Sequence, residues 1–159
     1  MLIGVVSLAG EAVSFYLVAY LLMTLLSFAV LIVVAQNAGD NIEDFNGLGK
    51  RSPFLAFAML IAMTSLAGVP FTAGFLGKFF IFDAAIRQHQ ILLVVVGVIT
   101  VACGFYYYLK VVRAMYWEGP ASDTAYELSG LSRVTISAMI VAIIVLGVYP
   151  QPVLNALNR

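Results

Sequence analysis

Four long apolar stretches follow one another along the chain, each bounded by charged or turn-forming residues. The first covers residues 12–37 and is preceded by a shorter apolar piece, residues 1–9. The second runs over 53–87, the third over 91–116, and the fourth over 134–149, where Pro150 and Pro152 open a short tail, 150–159. Polar connections fill 38–52 and 117–133. A transmembrane helix needs about 20 apolar residues, so each long stretch suffices for a span and the 1–9 piece for only half of one. The pattern predicts an all-α polytopic membrane protein of about four full transmembrane helices plus a partial one, its start lying inside a helix.

The second stretch is too long for a straight span. As one helix, residues 53–87 would measure about 50 Å against a hydrocarbon core of about 30 Å. Ser52 stands at an N-cap position and Pro53 at the first helical position, which proline suits. Pro70 removes a backbone N–H and clashes with the carbonyl of Leu66, four residues earlier. Two half-helices joined at Gly68, Val69 and Pro70 fit the length, giving one discontinuous helix. Gly68, Gly74 and Gly77 let neighbouring backbones approach. A proline kink taken by itself is also compatible with a purely structural role.

Lys78 lies in this same run, more than twenty uncharged residues beyond Arg51. An ammonium at the centre of a membrane helix costs about 2.5 kcal/mol or more and marks a candidate functional site. With Arg87 at the far interface, nine residues of helical rise place Lys78 about 13 Å deep, beyond full recovery by snorkelling. It is expected to face a polar interior. Asp83, five positions on, points roughly 140° away around the helix and pairs more naturally with Arg87 at i+4. The counter-charge of Lys78 must come from elsewhere.

The other charges sit near span ends. Asp40, Glu43, Asp44, Lys50 and Arg51 share the 38–52 connection. Lys110 and Arg113 close the third span beside Tyr116 and Trp117, an aromatic-belt pair, and Lys110 is about 10 Å from Trp117 by rise, within partial snorkelling reach. Tyr106, Tyr107 and Tyr108 suit either a polar interior or helix packing. His89, between two glutamines, reads as a solvated loop residue, and Glu11 as an interfacial carboxylate at a helix N-terminus. Because spans alternate, Lys50, Arg51, Lys110, Arg113 and Arg133 fall on one side, Arg87 and Arg159 on the other. The positive-inside rule places the first group, with the 38–52 and 117–133 connections, in the cytoplasm and the C-terminus outside.

Composition agrees with this class and excludes others. Hydrophobic residues make up 63% of the chain and charged ones 10%, with a mean hydropathy of +1.04, far from soluble domains. Net charge is zero, so nothing points to nucleic acid. Cys103, the single cysteine, rules out an internal disulfide or a cysteine-based metal cluster, and among Val101, Ala102 and Gly104 it reads as a small buried thiol. Met1 opens onto LIGVVSLAG without the basic region of a signal peptide. No phosphate loop, metal-ligand spacing or nucleophile elbow is present; GFLGK lacks the following Ser or Thr and lies in an apolar run.

The segment FNGLGKRSPFLAFAMLIAMTSLAGVPFTAGFLGKFFIF, flanked by EAVSFYLVAYLLMTLLSFAV, GFYYYLKVVRAMYW and GVYPQPV, resembles the antiporter-like membrane subunits of the proton-translocating NADH:quinone oxidoreductase (respiratory complex I), subunit N in particular. Order and spacing of these segments match over nearly the whole chain. The resemblance implies an antiporter-like fold of about fourteen spans, built from two inverted five-helix repeats that each contain a discontinuous helix. The chain would be its C-terminal third. Pro70 would mark the break of the second repeat. Lys78 would match the lysine just beyond it, part of a buried polar axis that relays protons; siblings carry lysine or glutamate there. Lys110 falls where relatives can carry another basic residue.

By the same resemblance the chain holds no redox centre, cofactor or metal. NADH, FMN, iron–sulfur clusters and quinone belong to other subunits of the complex. The expected partners are the other membrane subunits, antiporter-like paralogues included, and the lipid of a bacterial inner membrane. The glutamate and lysines of the first repeat lie upstream of this chain. A lysine suits proton transfer because opposing charge or water favours its ammonium and desolvation disfavours it. Two other readings fit the same features: a subunit of a related cation/proton antiporter or membrane-bound hydrogenase, and a structural membrane scaffold.

Overall fold

A computed structural model of the chain describes residues 2–6, 10–117, 119 and 128–151, with Val5 and Val6 described by backbone alone. Their secondary structure is helical: α1 (Leu2–Val6), α2 (Gly10–Ala35), α3 (Leu48–Arg51), α4 (Pro53–Ala67), α5 (Ala73–Arg87), α6 (Ile91–Trp117) and α7 (Gly130–Val148), with a 3-10 turn at Ile42–Phe45. Three of these, α2, α6 and α7, are long and apolar enough to cross a membrane. The 15-residue α4 and α5 measure about 22 Å each, short of a 30 Å core. The second apolar stretch is therefore a pair of half-helices.

Helix ends differ from the sequence expectation where side chains cap them. On α7, Ser129 accepts the Ser132 N–H at 3.2 Å and starts the helix at Gly130 rather than 134, so Arg133 belongs to the helix and not to the connection. The break of the second stretch extends from Gly68 to Thr72, two residues beyond Pro70, because Thr72 is held extended as the N-cap of α5. Ser52 occupies the N-cap position of α4, yet its side chain makes no capping bond; only its carbonyl takes part, accepting the Ala56 N–H at 3.0 Å. Most of the 117–133 connection, the 152–159 part of the tail and residues 7–9 lie outside the described residues.

The 38–52 connection is folded rather than loose. Arg51 donates through Nη2 to the carbonyls of Asp44 (2.7 Å) and Asn46 (3.0 Å), and the Asn41 N–H is accepted by Asp44 Oδ2 at 2.8 Å. The Gly47 N–H donates to the Ala114 carbonyl at 3.1 Å, tying the connection to the end of α6. Phe45 and Leu48 plug into the core.

An uninterrupted apolar helix has no polar face, so its buried stripe is chosen by what packs on it. On α2, Phe15, Ala19, Met23, Leu26, Val30 and Val34 are buried at helical spacing, while Leu17, Leu21, Leu25, Phe28 and Ile32 point outward. This stripe meets α4, α5 and α7. The central helices carry small residues there: Ala56, Ala58 and Ala62 on α4, Ala73, Gly74, Gly77 and Ala85 on α5. Where lipid supplies no hydrophobic drive between helices, such residues bring backbones into direct van der Waals contact. A Cβ on Gly74 would collide with the Ser65 carbonyl, and one on Gly77 would come within 2.7 Å of the Tyr16 ring. By contrast α6 buries only Gly97, Val112, Ala114 and Met115. Gly74→Val is expected to destabilise the fold by about 1–3 kcal/mol or more through overpacking against backbone, read as a lowered thermal midpoint and reduced assembly; an unchanged midpoint would remove Gly74 from the packing argument.

Candidate functional site at the broken helix

The end of α4 is built by glycine and proline together. The Gly68 N–H donates to Ser65 O and the Val69 N–H to Thr64 O, both at 3.0 Å, with Gly68 at φ 87°. That is a Schellman closure, and its left-handed residue is the position glycine fills without strain. Pro70 follows and cannot continue the helix. The chain then passes through Phe71, which takes a positive φ of 69°, into extended Thr72. Thr72 Oγ1 donates to Val69 O at 2.6 Å and accepts a long bond from the Phe75 N–H at 3.4 Å. Ser65, fully buried, accepts the Gly74 N–H at 3.2 Å. Gly147 of α7 seats the turn: a Cβ there would be 2.7 Å from Ala73 N.

Lys78 turns back into this break. It is half-buried, and its Nζ donates to the Leu66 carbonyl at 2.6 Å, twelve residues upstream. Leu66 is the residue whose helical donor would have been position 70, a proline. The ammonium thus meets the carbonyl end of α4, where the helix dipole favours a cation. Among the described residues, Asp83 is engaged with Arg87 at 2.7 Å rather than with Lys78. The preceding residue, Gly77, lies against Tyr16, whose ring centroid is 6.0 Å from that of Tyr20. Chemically, the arrangement holds an exchangeable proton on an amine, inside the bundle, against an acceptor that either charge state of the amine can use.

The chain has relatives among known proteins. Residues 1–104 match the family described as NADH:quinone oxidoreductase/Mrp antiporter, transmembrane region. The chain belongs to that family. Subunit N of the NADH-quinone oxidoreductase of Geotalea uraniireducens is 39% identical over 149 residues, 92% of this chain and 32% of the relative. The subunit N of Acidithiobacillus ferrooxidans is also 39% identical, over 160 residues, covering 97% and 33%. The chain spans about a third of the length of the curated relatives it matches. Among solved structures, a chain of respiratory complex I from Thermus thermophilus with bound aureothin superposes with a TM-score of 0.80 at 35% identity, over 91% of this chain and 34% of that one. The break and Lys78 lie within residues 1–104, the part of the chain that matches the family.

Gly68, Val69, Pro70 and Lys78 come together in space. Lys110 does not join them: it is exposed on α6, lining an outward groove with Tyr106, Leu109 and Trp117. Cys103, expected buried, is exposed, because the middle of α6 contacts little else in this chain. Tyr106 and Tyr107 also face outward, while Tyr108 packs against the core. His89 closes α5 at φ 56°: its N–H donates to Ile86 O and the next to Ala85 O, both at 3.0 Å. Sequence reasoning missed three partners: Ser65, Thr72 and the Leu66 carbonyl. Thr72 was the most accessible of them, since a threonine two residues after a helix-breaking proline is a natural N-cap. Thr72→Ala should lower stability by about 1 kcal/mol through the lost cap, while Thr72→Ser restores it, as followed by thermal unfolding of the assembled protein; equal effects of the two would show that the hydroxyl does not cap α5.

Proposed function

We propose that this chain forms part of the membrane arm of a proton-translocating NADH:quinone oxidoreductase, within a subunit N, and contributes a segment of its proton path through Lys78. The observation that carries the reading is the ammonium of Lys78 turned inward to a broken helix and held by the Leu66 carbonyl at 2.6 Å. A cation in that position is costly unless used or compensated, and irregular backbone at membrane depth is tolerated where protein or water surrounds it. Redox chemistry would belong to other subunits, which carry NADH, FMN, iron–sulfur clusters and quinone; this chain would receive the coupling through its neighbours. Lys110, facing outward, would act in that path only across an interface with such a neighbour. The host membrane would be a bacterial inner membrane, with the 38–52 connection cytoplasmic and the C-terminus periplasmic.

Replacing Lys78 with Ala or Met in the complete subunit tests the reading. Proton flux through this route should fall by about 10²-fold or more, the typical contribution of a positioned proton-transfer group, while the complex still assembles. Wild-type protons per electron and wild-type coupled activity in the assembled variant would return the chain to the scaffold reading. Orientation is tested separately in a Cys103→Ser background. Gln151→Cys should react with a membrane-impermeant maleimide on the periplasmic face, and Asn41→Cys only in inside-out vesicles; the reverse pattern would invert the topology.

A further inference from the structure

The closure of α4 leaves the Leu66 carbonyl without a helical donor. Gly68 and Val69 donate back to Ser65 and Thr64, and the next acceptor, Leu66 O, has proline at the position that would have supplied its N–H. Lys78 takes that acceptor. To reach it, the lysine side chain must lie across Gly68. A Cβ built on Gly68 would stand 3.1 Å from Nζ, 3.3 Å from Cδ and 3.8 Å from Cε. The first two approaches are tighter than side-chain contacts normally allow, and one of them is to the charged atom itself. Gly68 therefore satisfies two separate demands. Its φ of 87° is a backbone demand that asparagine also meets reasonably well. Its empty Cβ position is a spatial demand: a side chain there would force the lysine to give by a few tenths of an ångström.

We infer that Gly68 is a positioning residue for Lys78: the absent side chain forms the seat in which the ammonium reaches the Leu66 carbonyl. This rests on the reading of Lys78 as a proton-carrying group, and goes beyond it by assigning the partner that replaces a carboxylate and the residue that makes that partner accessible. Ser65 and Thr72 shape the same turn, but their hydroxyls are engaged with Gly74, Val69 and Phe75, leaving the Leu66 carbonyl to the lysine.

The test separates the seat from the turn. Gly68→Asn, which keeps the left-handed backbone accessible but fills the seat, is introduced into the complete subunit of the assembled complex, alone and together with Lys78→Met. Protons per electron are measured on vesicles normalised to assembled complex. Gly68→Asn alone should bring the ratio down to that of Lys78→Met, and the double variant should be no lower than Lys78→Met alone. A wild-type ratio in Gly68→Asn, or a further loss when it is added to Lys78→Met, would overturn the inference. If Gly68→Asn does not assemble, Gly68→Ala and Gly68→Ser are read by the same cycle. A wild-type ratio in Lys78→Met alone would instead sink the underlying proton-path reading, so the two failures are told apart.

Discussion

In hydrocarbon, a backbone N–H or C=O without a partner costs several kcal/mol. A broken helix multiplies such groups, and the rest of this fold is arranged around satisfying them. Over Thr64–Leu76, several of them find a specific answer: Thr64 and Ser65 carbonyls take N–H donors from the Schellman turn, Val69 O takes the Thr72 hydroxyl, and the Gly74 and Phe75 N–H groups are accepted by Ser65 and Thr72. Leu66 O takes a side-chain ammonium. The break is thus a hydrogen-bonded unit in which one donor is ionisable.

That unit requires close packing to stay in place. Gly74 lies on the Ser65 carbonyl, Gly77 on Tyr16 and Gly147 on the backbone of the turn, so α4 and α7 meet the start of α5 backbone to backbone and α2 meets it through Tyr16. The edge-to-face pair Phe15–Phe80, 5.6 Å between centroids, adds a bulky contact just beyond this small-residue zone. Lys78 is placed by the helix that carries it and by its own approach to Gly68 and Leu66.

Much of this was legible in the residues. Long apolar stretches against a 30 Å core announced the spans, and the excess length of 53–87 with Pro70 announced the break. The Asp83–Arg87 pair followed from i+4 spacing. Other features were hidden for physical reasons. Which face of an all-apolar helix is buried leaves no periodic mark, so Cys103 on a barely covered helix was expected inside. Ser129 and Thr72 extended or delayed helices by capping, a local effect that hydrophobicity does not register. The partner of Lys78 was left open between water and a carboxylate, and its hydrogen bond here goes to a backbone carbonyl, which composition does not register.

The identity of that partner has a chemical consequence. A carboxylate facing a lysine can take its proton and neutralise both groups at once; a peptide carbonyl can only accept a hydrogen bond, being far too weak a base to be protonated. The Leu66 carbonyl therefore steadies the amine in either charge state without ever competing for the proton. Lys78 sits against a chemically mute wall, and any proton leaving it must depart by the open side.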